Sequence, residues 1–192
     1  MQEKSNGFLR EELVEILRKK YEEGQILINL GDITKLEVAG IVNAANETLL
    51  GGGGVDGAIH KAAGPKLLEE CKTLGGCKTG EAKITKGYNL PSDYVIHTVG
   101  PIYDEVRNPQ LMLENCYKNS LNLAAKHGIE SIAFPNISTG VYGYPKKEAA
   151  KIAIRSVLEW FEENSEDIKV IFISFDENSL GIYNEIFESV LR

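Results

Sequence analysis

The feature that most constrains this chain is an alternation of short apolar runs with amphipathic stretches of helical length. QILINL (25–30), AGIVNAA (39–45), EAKITKG (81–87), DYVIHTVG (93–100), IESIAFPNI (129–137) and IKVIFISF (168–175) read as strands. Helical patterns surround them. FLREELVEILRKKYE (8–22) sets Leu9, Leu13, Ile16 and Leu17 at helical spacing, and VDGAIHKAAGPKLLEEC (55–71) is helical on both sides of Gly64-Pro65. PQLMLENCYKNSLNLAAKHG (109–128) and PKKEAAKIAIRSVLEWFEEN (145–164) each open near a proline, and a last helix runs from about Ser179 to Leu191. Such alternation predicts a layered α/β domain whose sheet is covered on both faces. At 192 residues the chain holds one well-buried core and is short for two.

Three longer loops interrupt the pattern, at 31–38, 44–57 and 136–144, and each follows the end of a strand. Open α/β sheets bind ligands at the carboxyl ends of their strands, so these loops define where a site is expected. The second contains NETLLGGGGVDG (46–57), four glycines in a row followed by a lone aspartate. Each glycine surrenders much backbone entropy on folding, so a run of four asks for a reason. Gly52, Gly54 and Gly57 satisfy G-x-G-x-x-G, yet Asn46–Leu50 separate them from the strand, and no acid stands at a second strand end about 20 residues on. A dinucleotide fingerprint is therefore rejected, and no GxxxxGK[ST] phosphate loop exists. What remains is general: bare backbone lets several N–H groups converge on an anion at the positive end of a helix. ISTGVYGY (137–144) repeats the arrangement after another buried strand. Two cradles suit a pyrophosphate better than a single phosphate.

A net charge of −7 argues against general nucleic-acid or membrane-surface binding, while leaving a small anion held by backbone amides open. The N-terminal segment has no apolar core of a secretory signal, and no run approaches the roughly 20 residues that span a bilayer. Cys71, Cys77 and Cys116 are too few and too scattered for a disulfide framework. A cytoplasmic protein with reduced thiols is the plain expectation.

At this level of detail the chain resembles a known family. GDIT (31–34), IVNAANETLLGGGGVDGAIHKAAGP (41–65), TGEAKITKGYNLP (79–91), YVIHTVGP (94–101) and FPNISTGVYGYP (134–145) resemble the macro domain. They are most similar to its MacroD-type branch, the ADP-ribosyl hydrolases and O-acetyl-ADP-ribose deacetylases. The resemblance implies a three-layer α/β/α sandwich with a mixed central sheet over residues 25–192, with residues 1–24 as an N-terminal helical extension packed on it. One departure is visible: the family's usual Cys-Pro-Thr-Gly-Glu-Ala segment is CKTGEA here, with Lys78 in place of the proline. A surface turn is the expected location of that change.

The ligand implied by the resemblance is ADP-ribose or one of its esters, with mono-ADP-ribosylated proteins as partners and no cofactor or metal. Asp32 would accept from the adenine amino group, with the Ile33 amide beside the ring; a turn residue is the plainer reading of an Asp after Gly. Phe175 is either an apolar strand end or the aromatic that meets adenine. Gly53, Gly54 and Val55 would hold the pyrophosphate from one side and Ser138, Thr139, Gly140, Val141 and Tyr142 from the other, with Tyr142 on the distal ribose. Asn43, inside an apolar strand, must find hydrogen-bond partners or carry a cost of a few kcal/mol. It is read chiefly as bracing the loop. The reacting end falls to Asn46 on a ribose hydroxyl, Asp56, and His60 four residues on, with packing the plainer role for His60.

Only three histidines exist, without H-E-x-x-H spacing, and Asn136 stands where a nucleophile elbow before Ser138 would need glycine. Water oriented by Asp56 and by the substrate's phosphate is then the expected nucleophile. The helix dipole is expected to lower the pKa of Asp56 and the bound pyrophosphate to raise it. The alternative to hydrolysis is a reader that binds ADP-ribose without cutting it, and Asp56 is the residue that discriminates.

Overall fold

The computed structural model describes residues 7–192; the first six residues of the expected N-terminal extension lie outside the described region. Six strands, β1 (Ile26–Leu30), β2 (Gly40–Ala45), β3 (Ala82–Lys86), β4 (Tyr94–Val99), β5 (Ser131–Phe134) and β6 (Lys169–Ser174), form one sheet in the order β1-β6-β5-β2-β4-β3. All neighbours are parallel except β3, which runs antiparallel to β4 at the edge. The sheet is mixed, as expected. Interior strands are near-continuous apolar runs because helices cover both of their faces, whereas edge strand β3 (AKITK) carries two lysines.

The helices are α1 (Glu11–Glu22), α2 (Gly54–Ala63), α3 (Pro65–Thr73), α4 (Pro109–Lys126), α5 (Lys146–Glu163) and α6 (Glu177–Leu191). Gly64 divides α2 from α3 at φ +83°, a left-handed geometry that glycine adopts freely, and Pro65 then opens α3 at its first position. Two ends differ from the expected ones for local reasons. Helix α6 starts before Ser179 because Asp176 caps it, accepting from the Ser179 amide at 2.8 Å. Strand β5 stops at Phe134 because Pro135 brings no N–H to the ladder.

Two apolar clusters flank the sheet. The larger contains Leu13 and Leu17 of α1 with Tyr117, Leu121, Val157, Trp160, Tyr183 and Phe187 of α4, α5 and α6. The smaller contains Ile59, Ala63, Leu67 and Cys71 of α2 and α3. Hence α2, which follows β2, and α5, which follows β5, leave adjacent strands toward opposite faces. Their loops diverge and open a crevice at the carboxyl ends of β2 and β5. This is the switch point where open α/β sheets take ligands.

Candidate functional site

Sheet order arranges the expected residues as a strip along one edge. Gly31 donates to Ser174 O at 2.9 Å, which puts the residues that follow, Asp32 and Phe175, at the same corner. Next along come the loop after β5, tied to β6 by Asn136 Nδ2 donating to Ser174 Oγ at 3.4 Å, and then the glycine loop after β2. Three strand spacings, about 14 Å, separate the two ends.

At the first end Asp32 does serve its turn: Oδ1 accepts from the Thr34 amide at 2.9 Å and the Thr34 hydroxyl at 2.7 Å. Its other oxygen forms no part of that cap. Ile33 buries its side chain in the smaller cluster, while the Phe175 ring stands 84% exposed. An exposed aromatic ring on a strand end is unexpected for packing and suited to stacking.

In the middle of the strip, Cβ atoms added at Gly53, Gly54 or Gly140 would meet nothing within 4 Å, so all three face open space. Gly54 takes φ +57° as α2 begins. Across the crevice Ser138 holds φ +65°, rare for a residue with a side chain, and its buried Oγ has no partner among the described residues. Tyr144 N to Ser138 O at 2.9 Å and Gly143 N to Gly140 O at 3.0 Å close this loop, leaving Val141 fully exposed at its tip. Tyr142 is half-buried, and its carbonyl accepts from the Tyr103 amide at 2.9 Å. Thr139 braces the same loop, its hydroxyl donating to Asn136 O at 3.3 Å. Val55 packs against the smaller cluster.

The far end gathers Asn43, Asn46, Asp56 and His60. Asp56 lies in the first turn of α2 yet is only 4% exposed. Asn43 Nδ2 donates to its Oδ1 at 2.7 Å, and His60 Nε2 stands 3.5 Å from that oxygen, an electrostatic separation longer than a good hydrogen bond. An added Cβ on Gly52 would lie 3.1 Å from Oδ2, the oxygen on the loop side. Burial raises the Asp56 pKa above its ordinary value, against the pull of Asn43 and His60. The dipole argument is overturned here, because it treats the helix end as open to solvent whereas loop and strand cover it. A carboxylate with raised proton affinity is a better base.

Asn46 braces the glycine loop. Its Oδ1 accepts from the Thr48 amide and hydroxyl at 3.1 and 2.6 Å, and its Nδ2 donates to Gly51 O at 3.0 Å. Asn43 turns instead toward Asp56 and, in the same β2–β4 register, toward His97 at 3.1 Å. Sequence reasoning did not single out His97, nor Gly100, where an added Cβ would meet Ile137 Cγ2 at 2.7 Å and crowd Ser138 Oγ. Lys78 of the CKTGEA segment is exposed on a turn, as expected. In the structure the Cys77 amide donates to Glu47 O at 2.9 Å and the Thr79 hydroxyl to Glu47 Oε1 at 3.0 Å, so both neighbours of exposed Lys78 grip the glycine loop.

A layered α/β sheet with two glycine-bearing loops at its switch point defines an α/β ligand-binding domain, and comparison with known proteins narrows the class. The Macro domain family profile matches residues 42–153, and the chain belongs to that family. A macro domain-containing protein of Chlorobaculum tepidum is 58% identical over 155 residues, 80% of this chain and 90% of that one. ADP-ribose glycohydrolase MACROD2 of Homo sapiens is 53% identical over 176 residues, 88% of this chain but 41% of the longer human protein. Among solved structures, the Trypanosoma brucei macrodomain in complex with ADP-ribose superposes with a TM-score of 0.80 at 47% identity, over 84% of this chain and 68% of that one. The chain is a macro domain protein of the MacroD-type branch.

Proposed function

We propose that this protein binds ADP-ribose along the strip and hydrolyses ester-linked ADP-ribose, releasing it from Asp or Glu side chains of mono-ADP-ribosylated proteins and removing acetate from O-acetyl-ADP-ribose. Adenine lies between Asp32, the Ile33 amide and Phe175. The pyrophosphate enters the crevice between Gly53–Val55 and Ser138–Tyr142, where open-faced glycines let amides approach and the start of α2 supplies the favourable end of its dipole. The distal ribose reaches Tyr142 and Asn46, with the fully buried Asn43 bracing Asp56 beneath them. Asp56, with His60 beside it, holds a water, which adds across the ester bond; the ribose oxygen leaves with a proton and the acid is released. Asp56 and the substrate's phosphate share the proton-acceptor role, with neither a cofactor nor a metal called upon.

The observation that carries this reading is the buried carboxylate of Asp56, raised in proton affinity at the mouth of an anion cradle. The names of the relatives agree with it. No described helix is long and apolar enough to cross a membrane, and the three cysteines are buried free thiols, which suits a cytoplasmic protein. The described part of the N-terminal extension, residues 7–24, is an addition to the domain of residues 25–192 and packs on it through Leu13 and Leu17.

The test is incubation with a Glu-linked mono-ADP-ribosylated protein and, separately, with O-acetyl-ADP-ribose, measuring free ADP-ribose for the wild type and Asp56→Asn. Release by the wild type alone supports hydrolysis. Tight ADP-ribose binding without release from either substrate would make the protein a reader and overturn the enzymatic part.

A further inference from the structure

His97 is a histidine that this reaction scheme does not use. It sits on β4, fully buried, beside Asn43 in the parallel register of β2 and β4. Its Nδ1 lies 3.1 Å from Asn43 Nδ2 and its Nε2 lies 2.9 Å from Thr85 Oγ1, with Cys71 Sγ at 3.7 Å. The direction of each bond follows from donor arithmetic. The Asn43 amide carries two protons; one goes to Asp56 Oδ1 at 2.7 Å and the other to the bare Nδ1 of His97. The imidazole proton is therefore on Nε2 and is donated to Thr85. A reversed Asn43 amide would set its carbonyl 2.7 Å from the Asp56 carboxylate oxygen, acceptor against acceptor. The orientation holds even though Asn43 Oδ1 is then buried without a partner.

We propose, on the hydrolase reading above, that His97 is a positioning residue: as a neutral imidazole accepting on Nδ1, it fixes the Asn43 amide so that Asp56 Oδ1 is anchored and Oδ2 is left for the water. Protonated on Nδ1, the ring would confront the amide with a second donor and release the carboxylate. The site is built to prevent that, since burial pushes the His97 pKa down to about 3. Register supplies the geometry, the Asn43 donor selects the tautomer, and Thr85 accepts the Nε2 proton. The chain of bonds thus runs from edge strand β3 to the first turn of α2.

His97→Phe keeps the volume and removes the acceptor; His97→Asn returns an amide oxygen near the place of Nδ1. In ester hydrolysis, His97→Phe is expected to lower kcat by about ten-fold or more, the size of one displaced hydrogen bond to a charged group. ADP-ribose affinity should stay within about three-fold, since the amide cradle is untouched. His97→Asn should restore most of kcat. Wild-type kcat in His97→Phe, or equal loss of turnover and ADP-ribose binding in both variants, would overturn the proposal. An imidazole nitrogen NMR spectrum of the unmodified protein gives an answer independent of turnover: a protonated Nε2 and bare Nδ1 support it, and a proton on Nδ1 defeats it. Failure of the wild type to hydrolyse any ester would sink the hydrolase reading while leaving that spectrum unchanged.

Discussion

Gly100 lies directly beneath Ser138: a Cβ added there would fall far inside contact distance of Ser138 Oγ and 2.7 Å from Ile137 Cγ2. The end of β4 thus supports the loop that follows β5, and the left-handed Ser138 keeps its conformation because nothing can stand between them. Gly100→Ala should displace that loop, costing about 1–3 kcal/mol of stability as an overpacked site. ADP-ribose binding, measured by calorimetry, should fall with it. Unchanged melting and unchanged affinity would show that the loop is held by other means.

Asp56→Asn separates chemistry from binding. Hydrolysis should fall by at least about a hundred-fold, the lower end of what one general base contributes, while ADP-ribose affinity changes by less than about three-fold. Equal loss of both would mean that the carboxylate serves to hold the ligand.

The same substitution should stabilise the free protein, and the sign is fixed by linkage. Burial raises the Asp56 pKa in the fold, so the native state keeps its proton where the unfolded chain has already lost it, and stability falls as pH rises through that window. At neutral pH the buried charge is a standing cost that Asn avoids. Melting of Asp56→Asn should exceed wild type at pH 7, each kcal/mol being worth about 2–4 °C at this chain length. The gain should vanish below about pH 4, where both states protonate the aspartate. A gain that grows toward acid pH would contradict the burial argument.

Gly140→Ala tests the cradle. The added methyl meets nothing within 4 Å, so the fold should melt as wild type does. ADP-ribose should bind at least about ten-fold more weakly, because the methyl occupies the approach of the diphosphate. Retained affinity would move the diphosphate elsewhere.

Phe175→Ala removes a ring that is 84% exposed, so melting should not change. If the ring stacks on adenine, ADP-ribose affinity drops about ten-fold, within the range of one base–aromatic stack. Ribose 5-phosphate, which lacks the base, should bind both forms alike; a ring that merely ends a strand would leave both ligands unaffected.

Much of this architecture was legible because alternation is a local signal. All six strands and every long helix can be read from spacing, and the Gly64-Pro65 break is visible as a dipeptide. The strand order is not, since β1 pairs with β6 through contacts that no periodicity encodes. The same limit applies at the site. Asp56 beside four glycines stands out in the sequence, but its partner's partner, His97, lies 54 residues beyond Asn43 and reads as one more strand residue. Gly100 likewise looks like a turn glycine until Ser138 is seen above it. The dipole expectation for Asp56 failed for a related reason, because solvent exclusion is a property of the assembled layers and not of the helix that carries the residue.

The sheet is clothed unequally, with α1, α4, α5 and α6 on one side and only α2 and α3 on the other. The thinner layer is the one that carries the carboxylate. Lifting it uncovers a small satellite of apolar side chains and leaves the main cluster intact, so such breathing requires less free energy than global melting. Backbone amides of α2 and α3 should accordingly trade hydrogen for deuterium sooner than those of α4 and α5. Enzyme and scaffold are in that sense different storeys of one building, and the upper floor can creak without troubling the foundations.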